Sequence, residues 1–126
     1  MTQTFCKIVG SVLMLVGVAG FGNPNLLGMH LTPIHNVIHL LSGALSLYFG
    51  FSAAPASART FAQVFGGIYL GLGILGFVAP NAVAGLLGHP GMVNASALTP
   101  DNLVHLVLGT AFLAVGLASV RRIKTI

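Results

Sequence analysis

The sequence predicts an all-α protein, an integral membrane four-helix bundle built from two parallel helical-hairpin repeats. Its 126 residues are 56% hydrophobic and 5% charged, whereas soluble domains carry about 25% charged residues. Four apolar stretches approach the roughly 20 residues that a helix needs to cross a bilayer. The second half of the chain also repeats the pattern of the first. This composition excludes an ordinary soluble globule, a disordered chain and a nucleic-acid-binding protein.

The four apolar stretches are continuous rather than alternating, which favours helices over strands. They are Phe5 to Phe21, Ile34 to Phe51, Phe61 to Ala79 and Asp101 to Val120. Turn residues around Pro24, Pro55 and Pro80 follow the first three stretches, and Arg121 follows the fourth. The loop before the fourth stretch is longer than the first loop, and we expect a short interfacial segment there, at about residues 82–87.

The few charged residues predict how the helices are oriented. In a four-span arrangement all five cations lie on one side of the membrane: Lys7, Arg59, Arg121, Arg122 and Lys124. Because cytoplasmic flanks of membrane helices collect Lys and Arg, both chain termini are expected in the cytoplasm. Lys7 followed by an apolar run is also typical of a cleaved signal peptide, but the internal repeat argues against that alternative.

The first apolar stretch resembles the third, and the second resembles the fourth. Residues 5–21 align without gaps on residues 61–77, and the segment Asn36 to Leu40 aligns on Asn102 to Leu106. Because each copy contains two spans, both copies have the same topology, and a pseudo-two-fold axis along the membrane normal is expected.

We therefore expect a single four-span domain over residues 1–126. Repeat 1 covers about residues 5–54, and repeat 2 covers about residues 61–120.

Each predicted helix carries two glycines seven residues apart, which places them on nearly the same face. They are Gly10, Gly17, Gly43, Gly50, Gly66, Gly73, Gly109 and Gly116. Small residues let membrane helices approach closely, so we interpret these glycines as helix-packing positions. A hinge or a close cofactor contact is the alternative. Gly67 and Gly71 add one G-x-x-x-G pair.

Polar residues concentrate at the starts of the second and fourth helices, where Thr32 and Thr99 each precede a proline and are expected to cap the helix. The predicted interhelical polar contacts are made by Asn36, His39, Asn102, His105, Asp101 and His35. Within each Asn/His pair the residues are three positions apart and share a helix face. Asp101 in a first turn is favoured by the helix dipole. A contact between Asp101 and its alignment partner His35 is a further hypothesis.

Three interpretations of the Asn/His pairs stay open. The pairs can hydrogen bond across helices. His39 and His105 can be axial ligands of a haem or a chlorophyll-type pigment. The pairs can also line a proton or small-solute path. No metal site is expected because the sequence has no acidic cluster and no Cys pair, and with one carboxylate in the chain no catalytic residues are expected.

The run H-N-V-I-H-L-L-S-G at His35 to Gly43 and the run D-N-L-V-H-L-V-L-G at Asp101 to Gly109 carry a family resemblance. They resemble the paired Asn-x-x-His-Leu-x-x-x-Gly motifs of a family of small bacterial four-helix membrane proteins whose function is not assigned. The resemblance covers nearly the whole chain. It implies a multi-pass protein of the bacterial cytoplasmic (inner) membrane and implies no reaction.

The sequence thus favours a structural or accessory component of a membrane assembly, without catalytic activity of its own. Its expected partners are the lipid bilayer and a second copy or a larger membrane complex, and not nucleic acid. The alternatives are a cofactor-binding protein that uses His39 and His105, and a small-solute or proton pathway.

Overall fold

A computed structural model describes residues 1–28, 31–86, 88 and 99–124, without the side chains of Leu27, Thr99 and residues 119–124. The described residues form five α-helices and one 3₁₀ turn, Leu26–Gly28, and contain no strand. The helices are α1 (Thr2–Gly22), α2 (Pro33–Phe51), α3 (Pro55–Val78), α4 (Pro80–Leu86) and α5 (Thr99–Lys124). The predicted all-α fold class is confirmed. His30 and His89, two loop residues of the sequence, lie outside the described residues.

Four helices are long and apolar enough to cross a membrane: Thr2–Gly22, Pro33–Phe51, Pro55–Val78 and, within α5, Pro100–Ala118. The outer surface of the bundle is apolar as well, with Leu15, Val78 and Val107 each more than two-thirds exposed. Exposed aliphatic side chains on every long helix fit a lipid environment. The chain is therefore a multi-pass membrane protein.

The predicted start of α2 is confirmed in detail. Thr32 is the N-cap, and its hydroxyl accepts a hydrogen bond of 3.2 Å from the backbone N–H of His35. Pro33 occupies the first helical position, where a missing N–H costs nothing because that donor has no partner within the helix. The cap fixes where the polar residues of α2 enter the bundle.

Two predicted boundaries are wrong. Helix α3 begins at Pro55, six residues before the predicted start at Phe61, because Pro55 occupies a first helical position rather than a turn. Pro80 was also expected in a turn, but it is the first residue of a helix. That helix, α4, has 7 residues and is too short to span a bilayer, as expected of an interfacial segment. Leu87, the last residue of the expected segment, is outside the described residues.

The helices pack as two tight hairpins, α1 with α2 and α3 with α5, and all eight predicted packing glycines lie in the two seams. A methyl group at Gly10 would lie 2.9 Å from the Leu47 backbone nitrogen. At the aligned position in the second hairpin, a methyl group at Gly66 would lie 2.7 Å from the Leu113 backbone nitrogen. Matching contacts in both hairpins agree with the repeat alignment, while the duplication itself stays a prediction.

Aromatic rings fill the space between the hairpins in the half of the bundle that holds the start of α1. The Phe112 ring meets the edges of Phe5 and Phe65, with both centroid distances 4.9 Å. Phe61 stacks on Phe49 at 4.4 Å. Because these rings come from the beginnings of α1 and α3 and the later turns of α2 and α5, both hairpins point the same way. The first residue of α1 and the last turn of α5 therefore lie at the same end of the bundle.

Candidate functional site

The opposite half of the bundle, at the N-terminal ends of α2 and α5, contains a buried polar cluster. Its members are at most 5% exposed and are His35, Asn36, His39, Asp101, Asn102 and His105. These are the six residues predicted to make interhelical polar contacts. We call them the polar cluster.

The three imidazoles of the polar cluster lie close together across the boundary between the hairpins. The ring centroid of His35 lies 4.4 Å from that of His39 on the same helix and 6.0 Å from that of His105 on α5. The ring of Tyr69 on α3 lies 5.5 Å from His105. The imidazoles therefore face the interior of the bundle and not the lipid, as is usual for ionisable side chains in membrane helices.

Each asparagine of the polar cluster packs onto a glycine of its own hairpin. A methyl group at Gly20 would overlap the Asn36 carboxamide, and a methyl group at Gly76 would overlap the Asn102 carboxamide. The glycines sit near the ends of α1 and α3, where the chain leaves the membrane. Only glycine leaves room for these side chains, so Gly20 and Gly76 help to position the site.

Tyr69 and Ser42 extend the site beyond the residues that the sequence singled out. The Tyr69 hydroxyl donates a buried hydrogen bond of 3.0 Å to the Ser42 hydroxyl. The available signal was a break in the repeat, because the aligned positions hold Leu13 and Leu108. The polar pair lies on the side of α2 and α3 and the apolar pair belongs to α1 and α5, so the two sides of the bundle are different.

Several buried polar atoms of the cluster have no hydrogen-bond partner in the described part of the chain. They are the Nδ1 atoms of His39 and His105, Oδ1 of Asn36, and both side-chain polar atoms of Asn102. Buried polar groups are nearly always hydrogen-bonded in native proteins, and leaving one unsatisfied costs about 1–3 kcal/mol. The cluster therefore holds hydrogen-bonding capacity that the described residues do not use.

A cavity of about 210 Å³ lies beside the histidines of the cluster. Four helices line it through His35, Ile38, His39, Ser42, Phe65, Ile68, Tyr69, Leu72, Leu86 and His105. We call it the polar cavity. His39 and His105, each with an unpartnered buried Nδ1 atom, are both lining residues. The aromatic cluster described above fills the axis on the far side, so the polar cavity extends through one half of the bundle.

A known protein family matches most of the chain. Residues 3–118 match the family described as Domain of unknown function (DUF4383). The chain belongs to this family. The match includes both Asn/His motifs and confirms the predicted membership of a family without an assigned function. No curated protein and no solved structure matches the sequence.

The volume of the polar cavity in this DUF4383 chain limits whether it can hold a porphyrin. Pockets for drug-sized ligands measure about 300–1,000 Å³, and a haem or chlorophyll-type pigment is at least that large. A cavity of about 210 Å³ is too small to enclose one between His39 and His105. In the described residues no group of three or more His, Cys, Asp or Glu is arranged to hold a metal ion.

Asp101 and His35 both lie in the polar cluster, 2% and 1% exposed. They open the membrane-spanning parts of α5 and α2, which the fold brings to the same end of the bundle. Their direct contact stays a prediction. The two motif runs differ in charge at this Asp/His position.

Proposed function

We propose that this DUF4383 protein is a non-catalytic membrane protein that binds a small hydrogen-bonding molecule in the polar cavity between its hairpins. One observation supports the proposal most directly. His39 and His105 line that cavity, and the buried Nδ1 atom of each has no partner in the described residues. In hydrocarbon the cost of such groups is high, and buried ionisable residues there usually mark a functional site.

A binding role accounts for the arrangement better than simple helix-to-helix bonding. If the imidazoles served only to join helices, they would bond to each other or to the asparagines. Instead the asparagines pack against Gly20 and Gly76, and the Nδ1 atoms of His39 and His105 are buried without a partner in the described residues. A conducting path has less support, since the rings of Phe5, Phe65 and Phe112 block the axis beyond the cavity.

The test is to identify what occupies the site in native membranes. The full chain is excised in lipid discs with a styrene–maleic acid polymer, and its extract is analysed by mass spectrometry. We expect one molecule in near-stoichiometric amount in the wild type and its loss in the double variant His39→Gln, His105→Gln. The variant Ser42→Ala serves as a milder second variant if the double variant does not fold. An extract containing only bulk lipids, identical for wild type and variants, contradicts the proposal.

A second candidate function, an accessory subunit of a membrane assembly, is favoured by a separate observation. Gly67 and Gly71 on α3 face outward, and a methyl group at either would meet nothing within 4 Å. The exposed side chain of Ile68 lies between them in sequence. Outward G-x-x-x-G pairs are typical of faces on which membrane helices associate.

Chemical crosslinking in native membranes tests this second function. The double variant Gly67→Leu, Gly71→Leu is expected to lose a crosslinked species that the wild type forms. Gly22→Leu is the matched control, because Gly22 is also exposed and without neighbours. Equal crosslinking in all three proteins contradicts the accessory role. Both proposals include the expected location of the chain, which is the bacterial cytoplasmic membrane with both termini in the cytoplasm.

A further inference from the structure

The polar cavity opens sideways between α2 and α3. Ile68 and Leu86 line it, yet they are 56% and 61% exposed on the outer surface of the bundle. A residue that borders a cavity and also faces outward marks an opening. Because the outer surface at α2 and α3 faces lipid, a molecule dissolved in the bilayer reaches the His39 and His105 imidazoles without crossing water.

Further along α2 and α3, toward the other end of the bundle, lies another cavity. This second cavity of about 490 Å³ is lined by Phe49, Ala56, Ser57, Thr60, Phe61 and Val64. Val64 is one helical turn from Ile68, and both are more than half exposed. We call the two cavities together the α2–α3 groove. Its inner end is polar and aromatic, and most of its outer length is apolar.

The opposite side of the bundle has an apolar counterpart. Between α1 and α5 a groove of about 360 Å³ is lined by Phe5, Val9, Leu103, Val104, Val107, Leu108 and Ala111. Leu108 aligns with Ser42, and Leu13 aligns with Tyr69. The repeat therefore provides two side grooves, and only the α2–α3 groove offers hydrogen-bonding groups. A guest with a polar head on an apolar chain fits this side.

The side chains at the inner end of the α2–α3 groove restrict which polar head a ligand can have. A neutral imidazole supplies one N–H donor and one acceptor, and the Ser42 hydroxyl, which accepts the hydrogen bond from Tyr69, supplies another donor. Among the described residues no Lys or Arg lines the polar cavity, so a carboxylate or phosphate head would have no permanent cation beside it there in a low-dielectric site. The walls include the rings of Phe65, Tyr69 and His39, against which a flat ring packs by stacking or edge contact. An uncharged planar ring with carbonyl oxygens meets all these conditions.

We propose that the α2–α3 groove binds a lipid-soluble quinone, with its ring in the polar cavity beside Tyr69 and its apolar chain in the outer groove. The inference rests on the proposed binding function and names the chemical class of the ligand. The volumes agree with it, since about 210 Å³ suits a single substituted ring and leaves the chain to the larger cavity of about 490 Å³.

The experiment measures equilibrium binding of a tritiated probe, a dimethoxybenzoquinone with a ten-carbon chain, to the full protein in phosphatidylcholine nanodiscs. We expect saturable binding of one probe per chain. Tyr69→Phe removes one hydroxyl and is expected to weaken binding about three- to tenfold. Tyr48→Phe is the matched control, because Tyr48 is 57% exposed and lies outside both lining sets. Ser42→Leu, which installs the residue found at the aligned position, is expected to abolish binding.

Competition experiments measure separately how much the quinone ring and the apolar chain contribute to binding. Tetramethylbenzoquinone, a ring without a chain, and decanoic acid, a chain without a ring, are each expected to compete at least tenfold more weakly than unlabelled probe. Equal competition by decanoic acid, or equal binding by the Tyr69→Phe and Tyr48→Phe variants, overturns the quinone inference. If the extract from native membranes contains a different small molecule whose presence requires His39 and His105, the quinone inference fails alone. If that extract also contains no such molecule, the proposed function fails with it.

Discussion

Gly20 and Gly76 have a more specific task than allowing close helix approach. Each lies directly under an asparagine carboxamide of the neighbouring helix. The carboxamides thereby keep their position in the membrane although Asn36 Oδ1 and Asn102 Nδ2 have no hydrogen-bond partner in the described residues. Steric fit positions these side chains.

Gly20→Ala is expected to lower the free energy of unfolding by about 1–3 kcal/mol, because the added methyl overlaps the Asn36 side chain and forces it to move. Unfolding in mixed detergent micelles, followed by circular dichroism, measures the change. Gly22→Ala is the matched control, since no atom lies within 4 Å of the added methyl. Alanine is the better helix former, so the control is expected to be neutral or slightly stabilising. Equal losses in both variants would refute the steric explanation.

Ser46 shows a second residue-scale effect in the first hairpin. Its hydroxyl donates a buried hydrogen bond of 2.8 Å to the Cys6 carbonyl oxygen on α1. Ser46→Ala is expected to cost about 1 kcal/mol in the same unfolding measurement. Ser11→Ala, which removes an exposed bond to the Lys7 carbonyl of the same helix, is expected to cost less. A larger loss from Ser11→Ala than from Ser46→Ala would contradict the assignment.

At the scale of elements, α3 has two different glycine faces. Gly66 and Gly73 meet α5, whereas Gly67 and Gly71 meet no atom within 4 Å. The seven-residue spacing predicted the first face correctly as a close approach. The G-x-x-x-G pair was expected to add to packing, but within the described residues it lies outside the hairpin seam. Spacing identifies a face of a helix without telling which neighbour it meets.

The adjacent pair Gly66 and Gly67 makes a direct test of the α3–α5 seam. Gly66→Ala is expected to lower the thermal midpoint of the protein in detergent, because the methyl would lie 2.7 Å from the Leu113 backbone nitrogen, which cannot move aside cheaply. Gly67→Ala is expected to leave the midpoint unchanged or to raise it. If Gly67→Ala were the more harmful substitution, the assigned seam would be incorrect.

At the scale of the whole molecule, the cations gather at one end. Lys7 lies over the Phe51 ring at 4.7 Å, and the Arg59 carbonyl oxygen borders Gly116. These contacts place both residues at the end of the bundle that also holds the last turn of α5. The polar cluster occupies the other end. The two ends of the molecule are thus chemically distinct.

Reporter fusions test the orientation that this asymmetry predicts. A green fluorescent protein fused after residue 126 is expected to fluoresce, and an alkaline phosphatase fused after Asn25 is expected to be active, because Lys- and Arg-rich ends stay in the cytoplasm. Expression in a Gram-negative host and whole-cell assays give both readouts. A dark fluorescent fusion together with an inactive phosphatase fusion would reverse the predicted orientation.

Much of the fold was predictable because bilayer-spanning helices need long apolar runs and because lipid demands internal backbone hydrogen bonding. The predicted spans correspond to α1, α2, α3 and α5. The starts at Pro55 and Pro80 were missed, since proline ends one helix and opens another with equal ease, and local sequence does not distinguish the two cases. The Asn/His pairs were found because polar side chains are rare in apolar helices.

The sequence by itself determined that the chain lies in a membrane and which segments span it. It also singled out the eight glycines of the hairpin seams and the six residues of the polar cluster. Only the tertiary structure decided that the imidazoles border a side-opening cavity and that Tyr69 and Ser42 join them. It also decided that Gly67 and Gly71 face outward. The physical reason is that composition and periodicity are properties of one helix, whereas a cavity depends on the distance and rotation of several helices that no single segment encodes.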